Sequence, residues 1–103
     1  MNSGNTLKSL IIDDEEQARS ALRQELTFHC PEVRVAGEAG SVKEGLVLIS
    51  QTDPDLVFLD IQLADGLGFD LLSMTEERSF RVIFTTAYSE HAVQSFEVNA
   101  IDY

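Results

Sequence analysis

The feature that most constrains the fold is an alternation of short apolar, β-prone runs with segments of helical periodicity. The β-prone runs are Leu7–Ile12, Val33–Ala36, Asp55–Asp60 and Arg81–Thr86. Helices are predicted over residues 15–28, from Ser41 to the proline at 54, over 67–77, and from Ser89 to Asn99. Because connections this short require right-handed crossovers between parallel strands, we expect one α/β domain with a doubly wound parallel sheet of strand order 2-1-3-4-5.

Two sequence signals define the first two helices. Ala21, Leu22 and Leu26 belong to an apolar face, which predicts that this side of the first helix packs on the sheet. Ser41 followed by Glu44 has the spacing of a capping box, which predicts a helix that begins immediately after Ser41.

The chain has seven basic and eighteen acidic residues, a formal net charge of −11. A surface this negative repels nucleic acid and anionic lipid, so any DNA-directed role is expected to belong to a separate domain. The single cysteine, Cys30, allows no internal disulfide, and no apolar run approaches the ~20 residues that cross a bilayer. Since the N-terminus is polar and lacks a secretory signal, we expect a cytoplasmic protein with no membrane partner. Residues 1–7 are expected to be disordered or extended, and residues 8–103 to form the domain.

Three acids stand where predicted strands end. Asp13 and Asp14 follow the first strand, and Asp60 closes the third. In the order 2-1-3-4-5 the strand order reverses between these two strands, and ligands bind in the crevice at their carboxyl ends. Two like charges about 4 Å apart repel by roughly 4 kcal/mol at an effective dielectric of 20. Mg²⁺ takes carboxylate oxygens and keeps positions for water and phosphate, so the cluster predicts a magnesium site.

Each of these acids also has a simpler interpretation. An aspartate at a strand end is often a turn or cap residue, and Asp14 is placed to cap the first helix. Glu15 and Glu16 fit first-turn residues that compensate the helix dipole, rather than metal ligands. The metal interpretation is favoured because all three aspartates meet at the same crevice.

Thr86 and Ala87 extend the predicted site. Threonine in a strand is usually only a β-former. Here the pair Thr85-Thr86 interrupts an apolar run at the site end of the fourth strand, next to the third. The Thr86 hydroxyl is therefore predicted to face Asp60, and the small Ala87 to leave room for a ligand.

Three segments resemble the signature segments of response regulator receiver domains: LIIDDEEQAR, VFLDIQLADGLGFDLL and VIFTTAY. The similarity covers essentially the whole chain from Lys8. It implies a flavodoxin-like (CheY-like) sheet, and a signalling module rather than an enzyme. The last stretch, Phe96-x-x-x-Ala100-x-Asp102-Tyr103, resembles the LytR/AlgR-like subgroup, whose output is a LytTR-type DNA-binding domain.

Carried over position by position, the resemblance assigns roles to the acids. Asp60 would be the phosphoacceptor, and Asp13 and Asp14 would be the acidic pair that holds Mg²⁺ with it. Gln62, two residues after the acceptor, would offer its backbone carbonyl to the metal. The phosphoryl donor would be a phosphohistidine of a sensor histidine kinase.

The resemblance also implies a switch. Thr86, with Ala87 beside it, would bind the phosphoryl group, and Tyr103 would be the aromatic residue that responds. The attached output domain would be a DNA-binding transcriptional regulator, so DNA is an expected partner only through that domain. His29 and His91 show no acid-base partner in the sequence and are expected to be surface residues.

Two departures from the family pattern are present. Leu63-Ala64 stands where the family usually has Met-Pro, so the loop after Asp60 lacks a rigid turn. The sequence ends at Tyr103, before the position of the family's phosphoryl-pairing lysine, so that lysine is absent from this chain. We therefore expect the fifth strand and fifth helix to be largely missing. The fourth strand would then be an unpaired apolar edge, and a homodimer or edge-paired oligomer is expected.

Three other functions use similar residues, and each predicts a different pattern. A haloacid-type aspartyl-phosphate hydrolase wants a second aspartate two positions after the first, where this chain has Gln62. A flavodoxin-type binder cradles phosphate on the first loop, but residues 13–16 are all acidic and form no glycine loop. A phosphorylation-independent interaction module is expected to lose parts of the acid cluster, which is complete here. Mg²⁺-dependent reaction with acetyl phosphate or beryllofluoride separates these alternatives.

Overall fold

The computed structural model describes residues 6–75 and 79–85, together with the backbone of residues 100–102. The strands are β1 (Leu7–Ile12), β2 (Val33–Ala39), β3 (Leu56–Leu59), β4 (Gln62–Leu63), β5 (Gly66–Leu67), β6 (Arg81–Phe84) and β7 (Ala100–Asp102). The helices are α1 (Glu16–His29), α2 (Val42–Thr52) and α3 (Gly68–Ser73). None of these three helices is long and apolar enough to span a membrane.

Five of the described strands form one sheet in the order β2-β1-β3-β6-β7, and all four pairings are parallel. β4 and β5 form a separate antiparallel hairpin. With that hairpin set aside, the order is 2-1-3-4-5, so the predicted doubly wound sheet is confirmed. Ile12 at the end of β1 lies opposite Leu59 at the end of β3. This register brings the residues that follow the two strands to the same point at the carboxyl end of the sheet.

The core of the described residues divides between the two faces of the sheet. Successive side chains of a strand point to opposite faces. In β3, Val57 and Leu59 belong to a cluster that also contains residues of α2 and α3. Leu56 and Phe58 belong to a second cluster, which contains Leu26 of α1. β3 is therefore covered on both faces, which explains why its sequence is an unbroken apolar run.

The first two helices match their predictions with small differences. In α1, Leu22 packs against the core, but Ala21 is exposed because it lies about 100° around the helix from Leu22. At α2, Ser41 is the N-cap residue and its hydroxyl accepts a hydrogen bond from the Glu44 N–H at 3.0 Å. The Glu44 carboxylate accepts from the N–H of Gly40. The Ser41 half of the predicted capping box is thus present, whereas the Glu44 carboxylate bonds to Gly40 instead of Ser41.

The segment between β3 and β6 differs most from the prediction. α3 ends at Ser73, short of the predicted end near residue 77, and residues 76–78 lie outside the described part. The hairpin of β4 and β5 before α3 is not predicted by the sequence pattern. Its turn is formed by Ala64 and Asp65, whereas Gly66 already belongs to β5.

The expectation of an unpaired edge at the fourth strand is wrong at Val82 and Ile83. Val82 of β6 pairs with Ala100, and Ile83 pairs with Asp102. Strand pairing uses only main-chain groups, so three residues of β7 are enough to cover this part of β6. Oligomerisation through an open β6 edge therefore loses its basis at these two residues.

Candidate functional site

Asp13 and Asp14 are positioned by the end of β1. The Asp13 N–H donates to the Ala39 carbonyl at 3.0 Å, so the ladder with β2 continues one residue beyond the strand. Asp13 is 7% exposed, and its Oδ1 accepts a hydrogen bond from the Glu15 N–H at 2.9 Å. Asp14, the next residue, is exposed. One member of the acidic pair is therefore buried and fixed, and the other lies at the surface.

The hydrogen bonds at this point bear on the simpler interpretation of the two acids. The N-cap residue of α1 is Glu15, so Asp14 does not occupy the cap position. Asp13 does act as a turn residue through its bond to the Glu15 N–H. A carboxylate has two oxygens and about four lone-pair positions, so this one bond leaves Asp13 with capacity to bind a cation.

Arg19 holds the main chain of the acidic pair, a role that is not predicted from the sequence. Its Nη1 donates to the Asp13 carbonyl at 2.6 Å, and its Nε donates to Glu38 Oε1 at 3.2 Å. The side chains of Arg19 and Glu38 are 19% and 24% exposed, and Arg23 also pairs with Glu38. The sequence offered one signal, a basic residue in the second turn of a helix that starts beside the acids.

β3 brings Asp60 to the same edge of the sheet. The Asp60 N–H donates to the Ile12 carbonyl at 2.9 Å, and the Thr85 N–H donates to the Leu59 carbonyl at 3.0 Å. The chain around Asp60 is thus hydrogen-bonded to β1 on one side and to the end of β6 on the other. The residue itself is half-buried. Its backbone position is fixed by the sheet rather than by a loop.

The carboxylates of Asp13, Asp14 and Asp60 converge. One oxygen of each lies within 4.8 Å of the others, which confirms the predicted convergence. Around an octahedral Mg²⁺, adjacent oxygens lie about 2.9 Å apart and opposite oxygens about 4.1 Å apart, because the metal–oxygen distance is about 2.0–2.1 Å. The spacing and the all-oxygen donor set fit a small hard cation after minor side-chain adjustment, and they do not fit metals that prefer sulfur or imidazole.

Gly68 allows the start of α3 to approach the Asp60 backbone closely. Its N–H donates to the Ile61 carbonyl at 2.6 Å. A Cβ at this position would overlap the Asp60 main-chain oxygen and lie 3.0 Å from Leu59 Cγ. This contact is not predicted from the sequence, although the second glycine of Gly66-Leu67-Gly68 is a signal for it.

The hairpin after Asp60 carries Gln62, the residue expected to offer a main-chain carbonyl. Gln62 pairs with Leu67, and Leu63 pairs with Gly66. Leu63 is buried in the core cluster shared with α2 and α3, whereas the Gln62 side chain is exposed. This alternation anchors the hairpin to the protein through Leu63 and leaves Gln62 on its outer side.

Asp65, in the hairpin turn, contacts the N-terminus of α2. Its Oδ1 accepts from the Val42 N–H at 2.6 Å, and its Oδ2 accepts from the Lys43 N–H at 3.1 Å. The Val42 hydrogen bond is the main cause that lowers the pKa of the Asp65 carboxyl below its ordinary value, and the Lys43 bond adds to it. Asp65 is therefore held in its charged form as a second cap of α2, in addition to Ser41.

Three predicted site residues, Thr86, Ala87 and Tyr103, lie outside the described residues. His91 is outside them too. His29 is a surface residue as expected, 72% exposed, with its Nε2 3.7 Å from Glu25 Oε1.

Comparison with known proteins identifies sequence relatives of the whole chain. The chain matches the family model of the response regulator receiver domain over residues 9–103. It is 46% identical over 98 residues to an uncharacterized response regulatory protein of Vibrio cholerae, covering 94% of this chain and 41% of that protein. It is 42% identical over 99 residues to the sensory transduction protein LytT of Bacillus cereus, covering 94% and 40%. The chain thus spans about two fifths of the length of these curated relatives.

Solved structures show the same arrangement of the chain. The REC domain of AraT, a response regulator from Geobacillus stearothermophilus, superposes with a TM-score of 0.82 at 26% identity, covering 95% of this chain and 79% of that structure. The predicted fold and the resemblance drawn from the three signature segments are both confirmed by these comparisons.

Proposed function

This chain belongs to the response regulator receiver domain family, and we propose that it accepts a phosphoryl group on Asp60 at a Mg²⁺ site formed with Asp13 and Asp14. The observation that carries this proposal is the convergence of the three carboxylates within 4.8 Å. Two unit charges at that distance repel by about 3–4 kcal/mol at an effective dielectric of 20. A bound cation turns this unfavourable cluster into a favourable one, which accounts for three acids at one point.

The fixed backbone of Asp60 supports transfer of the phosphoryl group to this residue. A carboxylate oxygen of Asp60 attacks the phosphorus, the bond from phosphorus to the donor imidazole nitrogen breaks, and its electron pair leaves with the imidazole, which takes a proton. The hydrogen bond from the Asp60 N–H to Ile12 holds the attacking residue in position, and positioning supplies most of the catalysis in such transfers. Mg²⁺, when bound, would neutralise charge on the phosphoryl oxygens.

Other residues would complete the site. Gln62 would contribute its main-chain carbonyl oxygen as a further metal ligand. Thr86 and Ala87 would contact the phosphoryl group, and Tyr103 would respond to it. These assignments follow the family resemblance, and they agree with the placement of Gln62 two residues after Asp60 on a hairpin anchored by Leu63.

The partners follow from the same chemistry. We propose a phosphohistidine of a sensor histidine kinase as the donor, in the cytoplasm. Because LytT and the other relatives are more than twice as long as this chain, we further propose that the whole protein carries a DNA-binding output domain. A net charge of −11 leaves any DNA contact to that domain rather than to this one.

Transfer to Asp60 can be tested with labelled acetyl phosphate and with a kinase in the full chain. Asp60→Asn should abolish base-labile labelling. Asp53→Asn is the matched control, since Asp53 is an exposed C-cap residue of α2 with φ 50°, a conformation that asparagine tolerates. Labelling should persist in the control. Base-labile label in Asp60→Asn would show that the acceptor is another residue.

The metal site can be tested separately by calorimetric titration with Mg²⁺. Asp14→Ala removes a proposed ligand at the protein surface, where the fold is little affected. It should weaken Mg²⁺ binding by more than roughly 10-fold, the loss typical when a residue that only supports a metal ligand is removed. Glu32→Gln, an exposed acid at the opposite end of the sheet, should bind like the parent. Equal affinity in Asp14→Ala and the parent would place the metal elsewhere.

A further inference from the structure

We propose that Asp65 is a positioning residue for the metal site: by capping α2 from the hairpin turn, it holds the Gln62 main-chain carbonyl in place. The inference rests on the proposed function, because it assumes that Gln62 offers an oxygen to Mg²⁺. Asp65 is not itself proposed as a ligand, since the converging carboxylates are those of Asp13, Asp14 and Asp60.

The cap is a contact between two elements that are distant in sequence. An α-helix leaves four N–H groups at its N-terminus without intrahelical partners. Asp65 accepts from the first two of α2, those of Val42 at 2.6 Å and Lys43 at 3.1 Å, and Ser41 accepts from the third, that of Glu44. Hydrogen bonds to a carboxylate are roughly twice as strong as neutral ones. Two such bonds from one carboxylate fix both the position and the orientation of the turn.

The hairpin transmits this restraint to Gln62 over a short distance. β4 and β5 pair through two residues each, so only Ala64 and Asp65 lie in the turn. Ala64 leaves its own φ unrestrained, unlike a proline, so the turn depends on contacts outside itself for rigidity. Leu63 is 8% exposed and anchors one side of the hairpin in the core. The Asp65 cap provides a second anchor, and Gln62 lies at the start of the segment that these anchors hold.

Removing a residue that hydrogen-bonds to a metal ligand typically weakens metal affinity by about 10- to 100-fold. Asp65 acts on Gln62 through the hairpin, so for Asp65→Ala we expect the lower end, about a 10-fold weaker Mg²⁺ affinity. Coupling between two sites is reciprocal. Mg²⁺ binding should therefore also slow the hydrogen exchange of the Val42 and Lys43 amides, which Asp65 caps.

A merely structural role for Asp65 predicts a different pattern, and Ser41→Ala is the control that separates the two. Ser41 caps the same N-terminus, through the Glu44 N–H, but makes no contact with the hairpin among the bonds described. If only the stability of α2 mattered, Ser41→Ala and Asp65→Ala would weaken metal binding alike. If Asp65 positions the hairpin, only the second variant would do so.

The experiment is a Mg²⁺ titration of the full chain by calorimetry, with the unfolding midpoint of each variant measured in parallel. Asp65→Ala should bind about 10-fold more weakly, and Asp65→Asn, which keeps an acceptor oxygen for only one of the two amides, should show a smaller loss. Ser41→Ala should bind like the parent, and exchange of the Val42 and Lys43 amides should slow with Mg²⁺ in the parent and in Ser41→Ala but not in Asp65→Ala.

Three results would contradict either the positioning role of Asp65 or the proposed function. Parent-like binding in Asp65→Ala, or an equal loss in Ser41→Ala, overturns the positioning role. A parent chain that binds no Mg²⁺ overturns the proposed function instead, and it is recognised before any variant is compared. Should Asp65→Ala fail to fold, Asp65→Asn measured against Ser41→Ala decides the same question.

Discussion

Removing one charge of the acid cluster should stabilise the protein when no divalent cation is present. Asp60→Asn is the change of choice because asparagine has the same shape and keeps the main-chain bond to Ile12. The three carboxylates come within 4.8 Å of one another. A pair of unit charges at that separation repels by about 1 kcal/mol in water and by about 3–4 kcal/mol at an effective dielectric of 20.

The burial of each acid decides which limit applies. Asp14 is exposed, so its repulsion with Asp60 lies near the value in water. Asp13 is 7% exposed, so its repulsion with Asp60 lies nearer the higher value. After allowing for hydrogen bonds that an amide makes less well than a carboxylate, we expect Asp60→Asn to raise the free energy of unfolding by about 1–3 kcal/mol at neutral pH.

The assay is urea unfolding in EDTA at physiological ionic strength. Glu32→Gln removes one charge from the same total of −11, but at an exposed position before β2, so it should change stability by less than about 0.5 kcal/mol. Added Mg²⁺ should stabilise the parent more than Asp60→Asn, because a ligand stabilises the state that binds it. Repulsion within the acid cluster would be refuted by an Asp60→Asn variant that is no more stable in EDTA than the parent, or that gains no more stability than Glu32→Gln.

Three further predictions concern the surroundings of the site. Gly68→Ala should lower the free energy of unfolding by about 2 kcal/mol or more, because its Cβ would overlap the Asp60 carbonyl. Gly66→Ala is the control, since its nearest contacts lie at 3.4 Å, and it should change the free energy of unfolding by less than about 1 kcal/mol. Urea midpoints measure both changes, and equal losses would contradict the overlap. Ser41→Ala should lower stability by about 1 kcal/mol through the lost cap, measured by thermal unfolding, and an unchanged midpoint would contradict the role of the hydroxyl. Asp65→Asn should be less stable than the parent at neutral pH, because a lowered pKa contributes stability that is present above the ordinary carboxyl pKa. That difference should disappear as the pH falls through the pKa of Asp65, and a pH-independent difference in urea midpoints would contradict it.

The sheet could be predicted because its signals are local. The unbroken apolar run of β3 requires burial on both faces, and the acids at the ends of β1 and β3 follow directly from where the apolar runs stop. The bounds of β1 agree with the predicted residues, Leu7–Ile12. The strand order then followed from the chirality of short crossovers rather than from any particular residue.

The hairpin and its contacts could not be predicted because their signals are not local. Asp65 caps a helix that begins 23 residues earlier, and the sequence pattern indicates only a turn at this point. The helix prediction from residue 67 onward was correct in type, but periodicity does not show that α3 ends at Ser73. Glycine is needed at position 68 because the Asp60 carbonyl lies close to it, and this contact exists only after the strands and α3 have packed. The local sequence around Gly68 therefore does not predict it.

The edge of the sheet explains why the three acids can be held together at all. At this edge the main-chain bonding continues one residue past each central strand: Asp13 to Ala39, Asp60 to Ile12 and Thr85 to the carbonyl of Leu59. Main-chain hydrogen bonds therefore set the positions of the acids, and their carboxylates remain available to interact with a ligand. A close pair of these acids repels by about 3–4 kcal/mol. The three hydrogen bonds, at about 1 kcal/mol each, and the burial of Leu59 stabilise the folded chain by a comparable amount. The backbone of the sheet can thus hold the acids at their separation in the absence of metal, so that a cation entering the proposed site would meet carboxylates that need only minor side-chain adjustment.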